Sequence, residues 1–336
     1  MNVLLTGGLG FIGGHTAISL SRVGHSVYIY DSLINSDKTS IETLNQICDN
    51  EISCQIGDIL DTKSLTRFIE SNKIDTVIHF AALKSPFESI SNPSIYFNNN
   101  VSGTISLIRA MENNKINSLI FSSSASVYGP PEYNPMDEKH PENPINPYGR
   151  SKLISEKILK DLAEFQDWKI IILRYFNPIG AHESRIFGEF ANETPNNLLP
   201  YLYRVAKGDF EFVSIYGNNF DTEDGTGIRD YIDVMDVADG HIKSLEYIFN
   251  ADICKKNNAS VFNLGTGTGV SVLEMIELFE QVTGIEIKYK FKDRRKGDVG
   301  KCIADPSKAM EILNWKSKIA TEESINNGWN FFKNNC

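Results

Sequence analysis

The sequence predicts an α/β protein with a doubly wound parallel sheet and a smaller α/β region in its C-terminal half. Two observations lead to this fold class. Short apolar runs alternate with helical patterns through the first half of the 336-residue chain, as expected for parallel strands joined by helices. A glycine-rich turn also separates the first run from the first helical pattern, and such turns bind phosphate groups at a helix N-terminus.

The first strand–turn–helix unit begins near the start of the sequence. An apolar run at residues 3–6 leads into three glycines and the two apolar residues that open the helical pattern, namely Gly7, Gly10, Gly13, Phe11 and Ile12. Glycines allow the backbone to approach a pyrophosphate closely, while the helix N-terminus offers free N–H groups and the positive end of its dipole. We therefore expect these residues to bind a dinucleotide.

The second predicted strand, residues 26–31, ends in an acidic residue, Asp31. A carboxylate at this place binds ribose hydroxyls and repels a 2′-phosphate, which favours NAD over NADP. Asn35, in the loop that follows, is expected to join the same ribose contact. The alternative is that Asp31 is an ordinary aspartate of a turn.

The alternation of strands and helices continues along the chain. Strands are predicted at residues 53–58, 75–82 and 117–124, and helices at residues 63–71 and 99–114. In such a sheet, ligands bind beyond the carboxyl ends of the strands. His79 lies inside an apolar strand, and we interpret it as a packed core histidine.

A group of polar residues follows the strand at 117–124. Three serines, residues 122–124, stand at its carboxyl end, and a proline-rich loop then leads to Tyr148, four residues before Lys152. That spacing places both side chains on one face of a helix. A tyrosine ordinarily titrates near ~10, and an adjacent ammonium group favours the phenolate, so Tyr148 is a candidate base. Taken alone, Tyr-x-x-x-Lys is a common coincidence and a run of serines is typical of a turn.

Composition and charge narrow the class of partners and the compartment. The net charge of −10 argues against nucleic acid and anionic membranes, and the five cysteines form no Cys-x-x-Cys pair, which favours a reducing compartment. No residues stand at zinc spacing, and the run at 221–225 has the wrong spacing for a calcium loop, so no metal is expected. The first residues lack the pattern of a signal peptide, and no run is apolar enough to span a bilayer. We expect a cytoplasmic protein.

The motifs together resemble those of the extended short-chain dehydrogenase/reductases. The chain is most similar to the UDP-glucose 4-epimerase (UDP-galactose 4-epimerase) family, and the resemblance runs almost from end to end. The runs that carry it are residues 31–36, 79–84, 121–129, 173–182, 195–201 and 222–231. The last three are specific to this group, whereas the glycines and Tyr-x-x-x-Lys indicate only the superfamily.

The resemblance implies a Rossmann domain that binds NAD and a UDP-hexose substrate that is epimerised reversibly at C4 through a 4-keto intermediate, as in galactose metabolism. It implies catalytic roles for Ser124, Tyr148 and Lys152. Besides the glycine turn, Asp31, Asn35, Tyr148 and Lys152, it implies cofactor contacts by Asp58, Ile59, Phe80, Ala81, Lys84, Asn99, Ser122, Tyr175 and Phe176. It implies substrate contacts by Lys84, Ser124, Tyr148, Asn177, Asn197, Leu198, Ile215, Tyr216, Arg229, Arg295, Asp298 and Cys302.

Some of these substrate contacts also have a chemical reason in the residue type. Arginines such as Arg229 and Arg295 bind phosphate oxygens bidentately, and the helix that begins at residues 197–198 has free N–H groups for a diphosphate. Asp298 would suit the uridine ribose. In isolation, each arginine would more commonly be a solvated surface charge.

The resemblance and the thinner alternation after residue 177 predict two domains. The NAD-binding domain is expected at residues 1–177 with a returning segment at about 234–264, and the nucleotide-sugar-binding domain at 178–233 and 265–336. A homodimer through the helices near 99–114 and 148–166 is implied by the resemblance alone.

The choice of reaction depends on the residues after the serines. Related dehydratases carry acidic residues there, whereas this chain has Ala125 and Ser126, so epimerisation is favoured over 4,6-dehydration. The alternatives are another nucleotide-sugar 4-epimerase or 4,6-dehydratase, and an NAD-binding regulatory protein that has lost the chemistry. Epimerases restricted to glucose and galactose carry tyrosine at the place of Cys302, so the smaller cysteine predicts that UDP-GlcNAc and UDP-GalNAc are also accepted.

Overall fold

The computed structural model describes residues 1–189, 197–250, 259–295 and 297–336 of the chain. The strands within these ranges are β1 (Asn2–Thr6), β2 (Ser26–Asp31), β3 (Ser53–Ile56), β4 (Thr76–His79), β5 (Ser118–Ser124), β6 (Lys169–Tyr175), β7 (Asn177–Ile179), β8 (Val213–Tyr216), β9 (Ile228–Arg229), β10 (Tyr231–Asp233), β11 (Ser260–Leu264), β12 (Val270–Ser271), β13 (Tyr289–Lys292) and β14 (Lys301–Cys302). The α-helices are α1 (Phe11–Arg22), α2 (Thr39–Ile47), α3 (Thr62–Ser71), α4 (Pro86–Ser91), α5 (Pro93–Tyr96), α6 (Gly103–Asn113), α7 (Pro147–Phe165), α8 (Leu198–Lys207), α9 (Val234–Phe249), α10 (Val272–Thr283), α11 (Ser307–Ile312) and α12 (Thr321–Asn335).

The central sheet confirms the predicted fold class. Seven parallel strands of the described chain form it in the order β11–β6–β5–β4–β1–β2–β3. The strand order reverses at β1, which pairs with β2 on one side and β4 on the other. In a doubly wound sheet a ligand crevice opens at this reversal, beyond the carboxyl ends of the strands.

Helices cover both faces of the sheet, and each face has its own core. Alternate residues of a strand face opposite sides, so Leu5 of β1 belongs to the core beneath α1 and α9, and Leu4 to the core beneath α3 and α6. Strand β4 is entirely buried, and β5 and β6 are buried over nearly their whole length. Burial on both faces explains why these strands read as continuous apolar runs in the sequence.

The structure confirms the strands and helices predicted for the first half, with small differences at their ends. Strand β3 ends at Ile56 because the chain turns at Asp58, whose carboxylate accepts the Leu60 N–H at 2.9 Å. The helix expected at 99–114 begins as a π-helix over Phe97–Ser102 and continues as α6. Helix α2 lies where the sequence analysis predicts no element, and its buried residues are Ser40 and Leu44.

The C-terminal half adds three small sheets. β8 pairs with β13, β7 pairs with β10, and β9 lies between β12 and β14. Side chains of α8, α10 and α12, including Leu202, Phe279 and Phe332, form a separate core. The chain returns to the central sheet through α9, which packs on α1, and β11, which pairs with β6. Residues 251–258 of the predicted returning segment lie outside the described ranges, and the division into two domains stays a prediction.

Three further observations concern membranes, metals and thiols. None of the described helices combines the length and the apolar character that crossing a membrane requires. Within the described ranges, no three His, Cys, Asp or Glu side chains gather into a metal-binding group. Cys48, Cys54 and Cys302 are free thiols, and Cys254 lies outside the described residues.

Candidate active site

A cavity of about 730 Å³ opens beyond the carboxyl ends of β1, β4, β5 and β6. It brings together most of the residues that the sequence analysis proposed for cofactor, substrate and chemistry. These are Gly7, Gly10, Phe11, Ile12, Gly13, Asp31, Asn35, Ile59, Phe80, Ala81, Lys84, Asn99, Ser122, Ser124, Tyr148, Lys152, Tyr175, Phe176, Asn177, Asn197, Leu198, Ile215, Tyr216, Arg229, Arg295 and Asp298. A volume of this size accommodates ligands of several hundred daltons.

The glycine turn forms one end of the cavity. Gly7 has a positive φ of 70°, and a Cβ there would lie 2.6 Å from the Ala81 nitrogen. A Cβ at Gly13 would lie 2.5 Å from the carbonyl oxygen of Gly7. Helix α1 begins directly after Gly10 without a side-chain cap, so its first N–H groups are available to an anion. This end of the cavity therefore has the backbone shape and the donors that a pyrophosphate requires.

Asp31 lies beside the glycine turn at the end of β2. Its carboxylate accepts the N–H groups of Leu9 at 3.0 Å and Leu33 at 2.9 Å, and the Ser36 hydroxyl at 2.8 Å. A carboxylate accepts about four hydrogen bonds, so it retains acceptor capacity toward the cavity. Asp31 thus fixes the turn and also presents negative charge to a ligand, and the two interpretations of this residue are compatible.

The proposed catalytic side chains converge where β5 meets α7. Pro147 opens α7, and the Asn146 side chain caps it by accepting the Gly149 N–H at 2.8 Å. Tyr148 and Lys152 are both buried, one helical turn apart. Lys152 Nζ donates to the carbonyl oxygen of Ser122 at 2.6 Å, and the Ser124 hydroxyl hydrogen-bonds with Tyr148.

The pKa of Tyr148 differs from the lowered value that its spacing from Lys152 predicts. Burial lowers the pKa of Lys152 to about 7, and the carboxylate of Glu156 opposes that shift. Burial raises the pKa of Tyr148 above its ordinary value, and the hydrogen bond from Ser124 opposes the rise. The expectation of a lowered tyrosine pKa is wrong for the protein by itself, because the Lys152 ammonium group is directed at the Ser122 carbonyl and desolvation of the phenolate dominates.

The opposite end of the cavity carries the side chains proposed for the nucleotide sugar. Arg229 lines it from β9 and donates to the Ile228 carbonyl at 2.8 Å. Arg295 Nε donates to Asp298 at 2.8 Å, and its guanidinium lies 4.8 Å from the centre of the Tyr216 ring. The two predicted residues Arg295 and Asp298 thus pair with each other, which the sequence could not show.

Strand β8 supplies a backbone edge near these side chains. It pairs with β13 along one edge, and its other edge has no strand partner among the described residues. Ile215 and Tyr216 of this strand line the cavity. An unpaired strand edge presents the N–H and C=O groups that a uracil ring would need.

Two of the predicted site residues do not line the cavity. Asp58 is exposed in the turn before α3. Cys302 packs against a small cluster that includes Phe176, which is itself a wall residue, and its backbone pairs with Arg229. Cys302 therefore lies one layer behind the surface that a sugar would contact. Of the 195–201 run, residues 195 and 196 lie outside the described ranges.

The structure also places unpredicted residues at or behind the cavity wall. Glu189 accepts from Lys84 Nζ at 3.1 Å and from Asn197 Nδ2 at 3.3 Å, and so links two predicted residues. His241 Nε2 is hydrogen-bonded to the Tyr175 hydroxyl at 2.6 Å. Neither residue belongs to a motif, and the contacts Glu189–Lys84 and His241–Tyr175 join segments that lie 105 and 66 residues apart, so no local pattern could have indicated them.

Comparisons with known proteins agree with this geometry. A family model described as GDP-mannose 4,6 dehydratase matches residues 4–327. The UDP-glucose 4-epimerase of Bacillus subtilis (strain 168) is 44% identical over 336 residues, covering 100% of this chain and 98% of that protein. The UDP-glucose 4-epimerase of Yersinia enterocolitica is 45% identical over 337 residues, with the same coverage of both chains.

Solved structures show the same similarity. A UDP-glucose-4-epimerase from Stenotrophomonas maltophila with bound NAD and formylated UDP-arabinopyranose has a TM-score of 0.96 at 41% identity, over 99% of this chain and 98% of that one. A UDP-glucose 4-epimerase from Bifidobacterium longum in complex with NAD⁺ and UDP has a TM-score of 0.94 at 42% identity, over 100% and 99% of the two chains.

Proposed function

The chain belongs to the UDP-glucose 4-epimerases, within the family that the GDP-mannose 4,6 dehydratase model describes, and we infer that it interconverts UDP-glucose and UDP-galactose. The reaction inverts C4 of the sugar, uses NAD and serves galactose metabolism. The observation that carries this inference is that a dinucleotide cradle and the Ser124, Tyr148 and Lys152 side chains open into one cavity.

The residues of the cavity suit the binding of NAD. The glycine turn and the uncapped start of α1 meet the needs of the pyrophosphate, and Asp31 meets those of a ribose. Phe80, Tyr175 and Lys152 line the same cavity, and we propose that they contact the nicotinamide half of the cofactor. NAD bound there supplies a reversible acceptor for the hydride of the sugar C4.

The protein's own groups handle the proton and the sugar oxygen. Tyr148, as a phenolate, accepts the proton of the 4-hydroxyl, and Ser124 hydrogen-bonds to the same oxygen. Because burial raises the pKa of Tyr148, the phenolate depends on positive charge in the site, and the Lys152 ammonium group contributes to it. In the second half of the cycle Tyr148 returns the proton to the oxygen on the inverted carbon.

Inversion requires that the sugar presents both faces while its nucleotide stays bound. Arg229 and Arg295 are proposed to hold the diphosphate, the N-terminus of α8 to add backbone donors, and Asp298 to bind the uridine ribose. Since Arg295 and Asp298 contact each other at 2.8 Å, a bound nucleotide would share or replace that pair. No net oxidation occurs over a cycle, so NAD is expected to remain bound between turnovers.

A direct assay tests the proposal. Purified protein is incubated with UDP-galactose, and formation of UDP-glucose is followed by chromatography and mass spectrometry. The expected result is an equilibrium mixture of the two sugars, reached from either side. A product that is lighter by one water would instead indicate a dehydratase, and a chain that binds NAD without any product would indicate a regulatory protein.

The residues beside the serines favour epimerisation over dehydration. A 4,6-dehydratase needs a proton donor and a base near C5 and C6, and the positions after the serines hold Ala125 and Ser126. The Ser126 N–H donates to the Ser124 hydroxyl at 3.2 Å, so this turn supports Ser124. Among the described residues that line the cavity, the carboxylates are Asp31, Glu189 and Asp298, and each is already paired with a donor.

We also propose that UDP-GlcNAc and UDP-GalNAc are substrates, because position 302 holds a cysteine. Cys302 packs behind the wall near Phe176, so its small size would act by letting that wall yield to an N-acetyl group. In Cys302→Tyr, turnover of the N-acetylated pair should fall at least about tenfold more than turnover of the UDP-hexose pair. Undiminished activity on UDP-GlcNAc in that variant would contradict the proposal.

The remaining proposals concern the oligomeric state of the protein and its cellular compartment. We propose a homodimer through the surfaces of α6 and α7, and Ile154 of α7, which is 39% exposed, is available for such a contact. Light scattering of the purified protein would measure its mass, and a monomer at micromolar concentration would contradict this proposal. A cytoplasmic location is proposed from the cysteine usage of the sequence.

A further inference from the structure

Helix α7 carries a third buried polar side chain in line with the two that the mechanism uses. Tyr148, Lys152 and Glu156 follow one another at intervals of four residues and therefore lie on one face of the helix. The side chain of Glu156 is 0% exposed. A carboxylate without access to water is costly unless charged or hydrogen-bonding groups compensate it.

Two neighbouring strands hold the Glu156 carboxylate. From β5, the Ser123 hydroxyl donates to Oε1 at 2.5 Å. From β6, Arg174 donates through Nε to Oε1 at 2.9 Å and through a terminal nitrogen to Oε2 at 2.5 Å. Ser123 stands between Ser122, whose carbonyl accepts from Lys152, and Ser124, which contacts Tyr148. Glu156 is thus tied to the strand segment that faces the reacting groups.

Glu156 has two buried basic side chains as neighbours. Arg174 pairs with it directly, and Lys152 lies one helical turn away on the same face of α7. Glu142 shares Arg174, and Lys160, which is one-third exposed, reaches both carboxylates at 3.1 and 3.4 Å. Arg174 therefore has a second carboxylate in Glu142, whereas Glu156 is the carboxylate whose charge opposes the lowering of the Lys152 pKa by burial.

We propose that Glu156 is a positioning residue of the site. Its carboxylate presents negative charge to the Lys152 ammonium group and, through Ser123, fixes the end of β5 that carries Ser122 and Ser124. The inference rests on the proposed roles of Tyr148 and Lys152. Glu156 touches neither substrate nor cofactor, because Ser123, Arg174 and α7 enclose it.

The electrostatics around Lys152 agree with this role. Burial lowers the pKa of Lys152 to about 7 and Glu156 opposes the shift, so removing that charge would leave more of the amine neutral at pH 7. The other titratable groups nearby supply no negative charge at this pH. His79 on β4 is neutral because burial lowers its pKa to about 3, and burial raises the pKa values of Tyr148 on α7 and Tyr175 on β6.

The test measures the protonation of Lys152 directly, without turnover. Full-length protein is labelled with trace acetic anhydride from pH 5 to 10, and acetylation of Lys152, which requires the neutral amine, is quantified by peptide mass spectrometry against the exposed Lys38. In Glu156→Gln the midpoint of Lys152 labelling should move to lower pH by about one unit or more. The double variant Glu156→Gln/Arg174→Met leaves no buried arginine without its partner. Its midpoint should also fall, but by less, because loss of the Arg174 charge offsets part of the loss of the carboxylate.

Glu142→Gln is the matched control, because it removes a carboxylate from Arg174 but not from Lys152. Its labelling midpoint should equal that of the wild type. A folded Glu156→Gln variant with the wild-type midpoint, or a folded double variant whose midpoint moves to higher pH, would overturn the proposal and assign Glu156 a purely structural pairing with Arg174. Because the labelling does not depend on catalysis, a protein that labels as expected but does not interconvert UDP-sugars would contradict the proposed function alone.

Discussion

Removal of one oxygen atom from Tyr148 gives the sharpest test of the proposed chemistry. In Tyr148→Phe the ring remains buried in the first turn of α7 at the cavity wall, while the group that exchanges the proton is lost. The Tyr148 hydroxyl interacts with the Ser124 side chain, and the phenylalanine variant would lose that interaction. We therefore expect the variant to fold normally and to bind NAD.

The expected loss of stability is much smaller than the expected loss of turnover. Loss of one hydrogen bond at a site that opens into a cavity costs about 0.5–1.5 kcal/mol of folding free energy. Loss of a positioned general base costs about 10²–10⁴-fold in rate, which corresponds to about 2.7–5.4 kcal/mol of transition-state stabilisation. Turnover should thus fall far more than stability.

The assay compares kcat for UDP-galactose, the urea midpoint and the bound NAD of the variant with those of the wild type. Tyr96→Phe serves as a control, because the Tyr96 hydroxyl is buried, donates to Glu88 at 3.0 Å and does not line the cavity. That control should lose stability and keep its turnover within a few-fold, on the order expected for a structural hydrogen bond. A Tyr148→Phe variant with a wild-type kcat would refute the assignment of the base.

Three further predictions concern the cradle and the pH dependence of stability. In Gly13→Ala the new Cβ would lie 2.5 Å from the Gly7 oxygen. The affinity for NAD, measured by fluorescence titration, should therefore fall at least about tenfold. An unchanged affinity would contradict the proposal that the glycine turn binds the pyrophosphate. In Asp31→Asn the preference for NAD over NADP should shrink by about tenfold, and an unaltered ratio of dissociation constants would rule out the ribose contact. Burial raises the pKa of Asp233 to about 6. Between about pH 4 and 6 the folded state therefore holds more protons than the unfolded state. The free energy of unfolding should fall as pH rises through this range, by about 3 kcal/mol in total. Urea unfolding of Asp233→Asn, which keeps an acceptor for the helix cap, should lack this contribution, and identical pH profiles would show that Asp233 does not titrate in this range.

The sequence was informative where the function depends on the local backbone. The glycine turn, the acidic end of β2 and the Tyr148–Lys152 spacing are each set within a few residues, and the structure brings them to one cavity. The buried strands could also be recognised in the sequence, because burial on both faces requires continuous apolar runs. Helix α2 was not predicted, and it contributes only Ser40 and Leu44 to the buried residues.

The sequence was less informative where a side chain has partners from distant parts of the chain. Motif position alone could not show that Glu189 contacts Lys84, that Asp298 pairs with Arg295, or that Cys302 lies behind the wall. These contacts join segments that lie apart in the sequence or depend on side-chain direction. A resemblance between motifs transfers the positions of residues but not their hydrogen-bond partners.

The fold class, the dinucleotide cradle and the candidate base could all be inferred from the amino-acid sequence, because strand periodicity, glycine geometry and helical spacing are local properties. The protonation of the site depends instead on tertiary packing. The pKa values of Tyr148 and Lys152 are set by burial between β5 and α7 and by Glu156, and burial exists only once the strands and helices have packed. The expectation of a lowered Tyr148 pKa failed for that physical reason, since helical spacing fixes which groups are neighbours but not how much water surrounds them.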